Sequence, residues 1–121
     1  MSVKWIYGPP CSGKSSLLES CDGIRLDSHS IRELSGNWSL TPKDRTNNVL
    51  NLAAVAKTLS NQGHDVVVAA ITPKRAQRVK IRSIIPDVEL ILANHDPDNL
   101  AARQAKRFGT LYKDEGFEYD V

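Results

Sequence analysis

The segment Gly8-Pro9-Pro10-Cys11-Ser12-Gly13-Lys14-Ser15 has the spacing G-x-x-x-x-G-K-S, and it stands between a strand-like run and a helix-like one. Val3 to Tyr7 precedes it, and Ser16 to Ser20 follows, closed by Asp22-Gly23. Few structures satisfy such a segment. Its glycines let successive backbone N–H groups turn inward, and the start of a helix adds the positive end of its dipole. The Lys14 ammonium then reaches β- and γ-phosphates, and the Ser15 hydroxyl suits Mg2+. Gly8, Pro9, Pro10, Cys11, Ser12, Gly13, Lys14, Ser15 and Ser16 are therefore expected to cradle the polyphosphate of ATP.

Strand-like and helix-like segments alternate along the rest of the chain. Gly23 to Leu26 reads as a second strand and Ser30 to Leu34 as a brief helical turn, broken by Ser35-Gly36-Asn37. Thr41-Pro42-Lys43-Asp44 opens a long helix, with Thr41 as cap, Pro42 first in the helix and Asp44 three residues after the cap. Val49, Leu52, Ala53, Ala56 and Leu59 recur at helical spacing until Asn61-Gln62-Gly63 ends the run. Asp65 to Ile71 is an apolar run of the kind covered on both faces of a sheet. Thr72-Pro73 repeats the cap-plus-proline start for a basic helix to about Ile85, where Pro86 stops it. Val88 to Ala93 reads as a fourth strand, and Asp96-Pro97 opens a further helix through Arg107. The alternation predicts an α/β, three-layer fold of the P-loop nucleoside triphosphate hydrolase type. Its sheet is expected to be mostly parallel, of four or five strands, with helices on both faces.

At 121 residues the chain is expected to form one domain, residues 1–121, with a short lid at about 95–114. A net charge of +2 without a concentrated basic patch disfavours a dedicated nucleic-acid binder. Two cysteines, one inside the loop, argue against a disulfide framework and suit a reducing cytoplasm. Met1 to Tyr7 lacks the pattern of a signal peptide, and no run is long and apolar enough to span a membrane.

Ligands in an open α/β sheet bind beyond the carboxyl ends of the strands, which turns the element order into candidates. Asp27-Ser28-His29, then Arg32, follows the second strand. Arg45 and Asn48 share a helical stripe with Leu52 and are expected to turn inward. Thr72, Lys74 and Arg75 follow the third strand, which ends without the carboxylate that motor ATPases and GTPases place there. Asp27 is the acid at a strand end near the loop. This favours a small-molecule kinase in which Asp27 activates an acceptor hydroxyl or, with Ser15, holds Mg2+. Arg32, Arg45, Lys74 and Arg75 read as a cradle for an anionic acceptor, the alternative being a solvated basic surface. Arg103 and Arg107, one helical turn apart, suit neutralisation of the transferred group from a mobile lid; the alternative is a polar helix face.

Taken together, these residues resemble the adenylyl-sulfate kinase family over most of the chain. That family carries a strand ending L-D-G-D followed by Arg, a helix with D-R-x-x-N, then F-I-S-P-F-R, and later a lid with R-D and G-L-Y-K. Leu26-Asp27-Ser28-His29-Ser30-Ile31-Arg32, Asp44-Arg45-Thr46-Asn47-Asn48 and Ala70-Ile71-Thr72-Pro73-Lys74-Arg75 match the first three, and Arg103 with Leu111-Tyr112-Lys113 resembles the lid. The resemblance implies transfer of the γ-phosphoryl group of ATP, with Mg2+, to the 3′-hydroxyl of adenylyl sulfate. It implies that Arg32, Arg45, Asn48, Ile71 and Thr72 hold the acceptor, while Lys14 and Ser15 hold ATP and the metal. Phe117 is similar to a further aromatic of the family. Three departures stand out. His29 replaces the second acid of D-G-D, which bears on catalysis; Lys74 replaces an aromatic that stacks on the acceptor base. The chain also ends before the family's last strand and helix, so an abbreviated adenine pocket is expected.

Three readings remain open on sequence. The first is this kinase, acting on a small-molecule nucleotide, with a homodimer among the assemblies the sequence allows. The second keeps the kinase but changes the acceptor to another nucleotide, a nucleic-acid 5′-hydroxyl or a small metabolite. The third is an ATP-binding module with degenerate catalysis.

Overall fold

The β-branched run Val66–Ala69 forms a strand buried along its whole length, and the rest of the sheet is built around it. The computed structural model describes residues 2–8, 14–36, 41–93 and 118. In chain order the elements are β1 (Val3–Tyr7), α1 (Lys14–Ser20), β2 (Ile24–Asp27), α2 (Ser28–Ser35), α3 (Pro42–Asn61), β3 (Val66–Ala69), α4 (Arg75–Ile84) and β4 (Glu89–Leu92). The four strands pair in the order β2-β3-β1-β4, all parallel. The expected segment at 96–107 lies outside the described residues. Among the described residues, no helix is long and apolar enough to cross a membrane.

Side chains alternate between the two faces of a strand, and each face has its own cover. Val3, Trp5 and Tyr7 of β1 join Val66, Val68 and Ala70 under Val49, Leu52, Ala53 and Ala56 of α3 and Ile81 of α4. Ile6, Val67 and Ala69 face the other way, against Leu18 and Leu17 of α1. The helices therefore lie on both faces, which makes the three layers. The Asn61-Gln62-Gly63 stop is also observed: Gly63 adopts φ 93° and donates to the Ser60 carbonyl at 3.0 Å.

The helix starts divide into one that follows its sequence signal and one that does not. Thr41 caps α3, its Oγ1 accepting the Asp44 N–H at 3.3 Å and donating to Asp44 Oδ2 at 2.9 Å. Thr72 does not cap α4. It adopts φ 47° and is 1% exposed, and α4 begins three residues later. Its Oγ1 is committed to the core, accepting from Trp5 Nε1 at 3.0 Å and donating to the Ala70 carbonyl at 3.2 Å. Capping falls to Gln77 Oε1, which accepts the Lys74 N–H at 3.1 Å, and to Glu118 Oε1, which accepts the Arg75 N–H at 2.9 Å.

Two contacts fix the amino-terminal edge of the sheet. Gly23 has φ 121°, and a Cβ there would meet the Asp65 carbonyl oxygen at 2.6 Å. That oxygen already accepts the Ile24 N–H at 2.8 Å and begins the β2–β3 ladder, so it has no room to retreat. Gly23→Ala is expected to cost about 1–3 kcal/mol, measured by urea titration; an unchanged midpoint would contradict this packing. The Asp65 carboxylate accepts the Ser2 N–H at 3.0 Å, and this backbone bond holds its carboxyl below its ordinary value of 3.8. Its stabilising contribution is thus complete above the ordinary value and fades as pH falls through the lowered one. In Asp65→Asn the acid limb of stability against pH should be shallower, and coincident limbs would count against the contact.

Candidate active site

The sheet order reverses direction between β1 and β3, because the chain leaves β1 toward one edge and leaves β3 toward the other. The carboxyl ends of these two strands therefore flank the crevice where open α/β sheets take their ligands. At that point Gly8, the first residue of the phosphate loop, donates its N–H to the Ile71 carbonyl at 3.3 Å. Lys14, the first residue of α1, donates Nζ to the Gly8 carbonyl at 2.9 Å. The ammonium thus already sits across the mouth of the loop. Pro9, Pro10, Cys11, Ser12 and Gly13 lie outside the described residues; Ser15 and the exposed Ser16 occupy the first turn of α1.

One strand away, Asp27 ends β2 level with Ala69, which is level in turn with Ile6 of β1. Two strand spacings put Asp27 and β1 about 10 Å apart. The Asp27 side chain has a structural duty that its position alone did not reveal. Its Oδ1 accepts the Ser30 N–H at 2.7 Å and caps α2. His29 follows in the first turn of α2, its side chain 74% exposed, with Nε2 4.0 Å from Glu33 Oε2 one turn on. Arg32, farther along the same helix, is half-buried.

The long helix supplies the next pair, and the structure separates them. Arg45 is exposed, contrary to the expected inward turn, because the buried stripe of α3 begins only at Asn48 and Val49. Asn48 is 3% exposed, and its Nδ2 has no hydrogen-bond partner among the described residues. Because α3 runs antiparallel to the strands it connects, its amino end lies at the carboxyl edge of the sheet, and Cβ atoms tilt that way. A buried amide donor without an acceptor costs about 1–3 kcal/mol, so its retention calls for an explanation.

The segment after β3 carries most of the remaining candidates. Ile71 is 39% exposed at the strand end, Thr72 is buried, and Lys74 and Arg75 are exposed. The left-handed conformation of Thr72 is costly for a β-branched residue, about 1–3 kcal/mol. Two groups absent from the sequence-based candidates hold it. The Trp5 indole bonds its side chain, and Arg78 Nη1 donates to its carbonyl at 2.8 Å. Arg78 is 2% exposed and lies 4.8 Å from the centroid of the Tyr7 ring. Its sequence signal was available: Arg78, Ile81 and Ile85 fall on one helical stripe, and a cation on a buried stripe is unusual. Arg103, Arg107, Phe117 and the lid at about 95–114 lie outside the described residues.

Comparison with known proteins decides the family. The model of the adenylylsulphate kinase family matches residues 1–115. The chain belongs to that family. Adenylyl-sulfate kinase of Staphylococcus carnosus is 32% identical over 121 residues, which cover 92% of this chain and 60% of that protein. Adenylyl-sulfate kinase of Vibrio cholerae is 28% identical over 124 residues, 93% of this chain and 56% of that protein. This adenylylsulphate kinase family member thus spans between about half and three-fifths of the adenylyl-sulfate kinases it matches. The APS kinase of Mycobacterium tuberculosis, solved in complex with AMPPNP and APS, has a TM-score of 0.80 and 24% identity. The match covers 98% of this chain and 83% of that one. A gluconokinase from Sinorhizobium meliloti has a TM-score of 0.65 at 23% identity, covering 93% of this chain and 69% of that one. At these identities both likenesses show the shared fold.

Proposed function

We propose that this family member transfers the γ-phosphoryl group of ATP to the 3′-hydroxyl of adenylyl sulfate. The observation that carries the reading is Asn48, a buried amide whose donor finds no acceptor among the described residues, at the edge where a nucleotide acceptor would lie. An anionic oxygen of the acceptor supplies what Nδ2 lacks, and the bond is strong because one partner is charged. Arg45 and Arg32 add positive charge at the same edge, and Ile71 offers an apolar surface for a base.

Lys14 exchanges its bond to the Gly8 carbonyl for phosphate oxygens when ATP enters. Mg2+ fits the donors available, since it takes a few protein oxygens and keeps several waters. Ser15 and Asp27, the latter with the Oδ2 left over from capping, would hold it. When bound, the metal supplies charge neutralisation at the phosphates. The chain's own work is positioning: the Gly8–Ile71 bond joins the donor loop to the acceptor turn, so the reacting groups are brought to the same crevice.

The exposed His29 and Lys74, which stand where the family has an acid and an aromatic, favour a second reading with a different acceptor. Following ADP release over a panel of acceptors separates the two. Adenylyl sulfate should give the highest kcat/KM; a higher value for another nucleotide, a polynucleotide 5′-hydroxyl or a sugar would replace this acceptor. Tight ATP binding without turnover on any acceptor would instead identify a degenerate binding module.

A further inference from the structure

The kinase reading leaves one buried cation without a role. Arg78 is 2% exposed, and its guanidinium joins three separate parts of the chain. Nη1 donates to the Thr72 carbonyl at 2.8 Å, Nη2 donates to the Glu118 carbonyl, and the plane lies 4.8 Å from the Tyr7 ring centroid. Glu118 in turn donates its N–H to the Pro73 carbonyl at 2.8 Å and accepts the Arg75 N–H at 2.9 Å. Glu118, 40 residues downstream of Arg78, is thereby fastened to the turn after β3 by both its backbone and its side chain.

We propose that Arg78 is a positioning residue for phosphoryl transfer, holding the Ile71–Pro73 turn in register with the phosphate loop. This rests on the kinase reading and deepens it. The turn is not one the chain adopts by preference, because Thr72 stands in the left-handed region. It persists because Trp5 fixes the Thr72 hydroxyl from below while Arg78 fixes its carbonyl from the side. Once Thr72 is fixed, the carbonyl of Ile71 points at the N–H of Gly8, and the acceptor side of the crevice is tied to the donor side. The planar fork of arginine suits this task, since it reaches two carbonyls at once and lays its face on an aromatic ring. Lysine keeps the charge but offers no fork. The same guanidinium holds the Glu118 carbonyl, so Glu118 and the turn share one anchor.

The test compares full-length wild type, Arg78→Lys and Arg78→Met, with thermal melts to establish that each folds. In Arg78→Met the KM for adenylyl sulfate should rise at least tenfold while the KM for ATP stays within twofold, and Arg78→Lys should lie between. Amide hydrogen exchange supplies a readout that needs no turnover. The N–H groups of Gly8, Arg75 and Glu118 should exchange at least tenfold faster in both variants, with the β1 and β3 interiors unchanged. If Arg78→Met does not fold, Arg78→Lys carries both readouts. Equal loss for both substrates, or uniformly faster exchange, would make Arg78 a core residue only and overturn the proposal. Wild type inactive on adenylyl sulfate would end the acceptor assignment, and local exchange at Gly8 would then decide whether Arg78 aligns the two sides.

Discussion

Lys14→Ala is expected to lower phosphoryl transfer by about 100- to 1,000-fold, the magnitude found when one preorganised donor to a developing charge is removed. The reason lies in what the ammonium does before any nucleotide arrives. It already stands at the loop mouth, 2.9 Å from the Gly8 carbonyl, so turning to phosphate oxygens requires little reorganisation. Alanine removes both the charge and the strap between the two ends of the loop. Lys14→Arg tests geometry against charge, because a wide planar fork does not fit a seat made for a point charge. It should recover little activity. Transfer within threefold of wild type for Lys14→Ala, measured as ADP release at saturating acceptor, would contradict the assignment of the loop.

Asn48→Leu is expected to move stability and acceptor recognition in opposite directions. Leucine has the same branched side-chain skeleton as asparagine and no donor, so a buried group without an acceptor among the described residues disappears without leaving a cavity. Stability should rise by about 1 kcal/mol, read from the urea midpoint. The KM for adenylyl sulfate should rise by about 10- to 100-fold, the worth of one hydrogen bond to a charged acceptor. A ligand-directed residue gives this pair of opposite signs, and a packing residue does not. A drop in stability together with an unchanged KM would show that Asn48 serves the core.

Much of this was legible because local chemistry and global fold agree in the chain. The β-branched run at Val66 to Val68 cannot be solvated, and it sits at the centre of the sheet. The Thr41-Pro42-Lys43-Asp44 start is self-contained, since its cap bonds lie within four residues. Thr72-Pro73 carries the same letters and behaves otherwise because its partner is Trp5, 67 residues away. A tertiary bond to the indole outweighed a local capping preference. The stripe shared with Ile81 and Ile85 signalled that Arg78 is buried, but its contact with Glu118 was hidden for the same reason, as the two meet across 40 residues of chain. The placement of Asn48 at the carboxyl edge followed from helical spacing, whereas the exposure of Arg45 depends on where α3 first meets the sheet. Asp27 was found as the acid at a strand end; that its carboxylate also caps α2 by accepting the Ser30 N–H emerged only from the structure.

The most direct test follows the terminal phosphate itself. Full-length protein is incubated with Mg2+, adenylyl sulfate and ATP labelled at the γ-phosphorus, and the products are separated and mapped. The label should leave ATP and appear on the 3′-oxygen of adenylyl sulfate, in equal amount to the ADP formed. Label that stays on ATP, or passes to water at the same rate with and without adenylyl sulfate, would contradict the account.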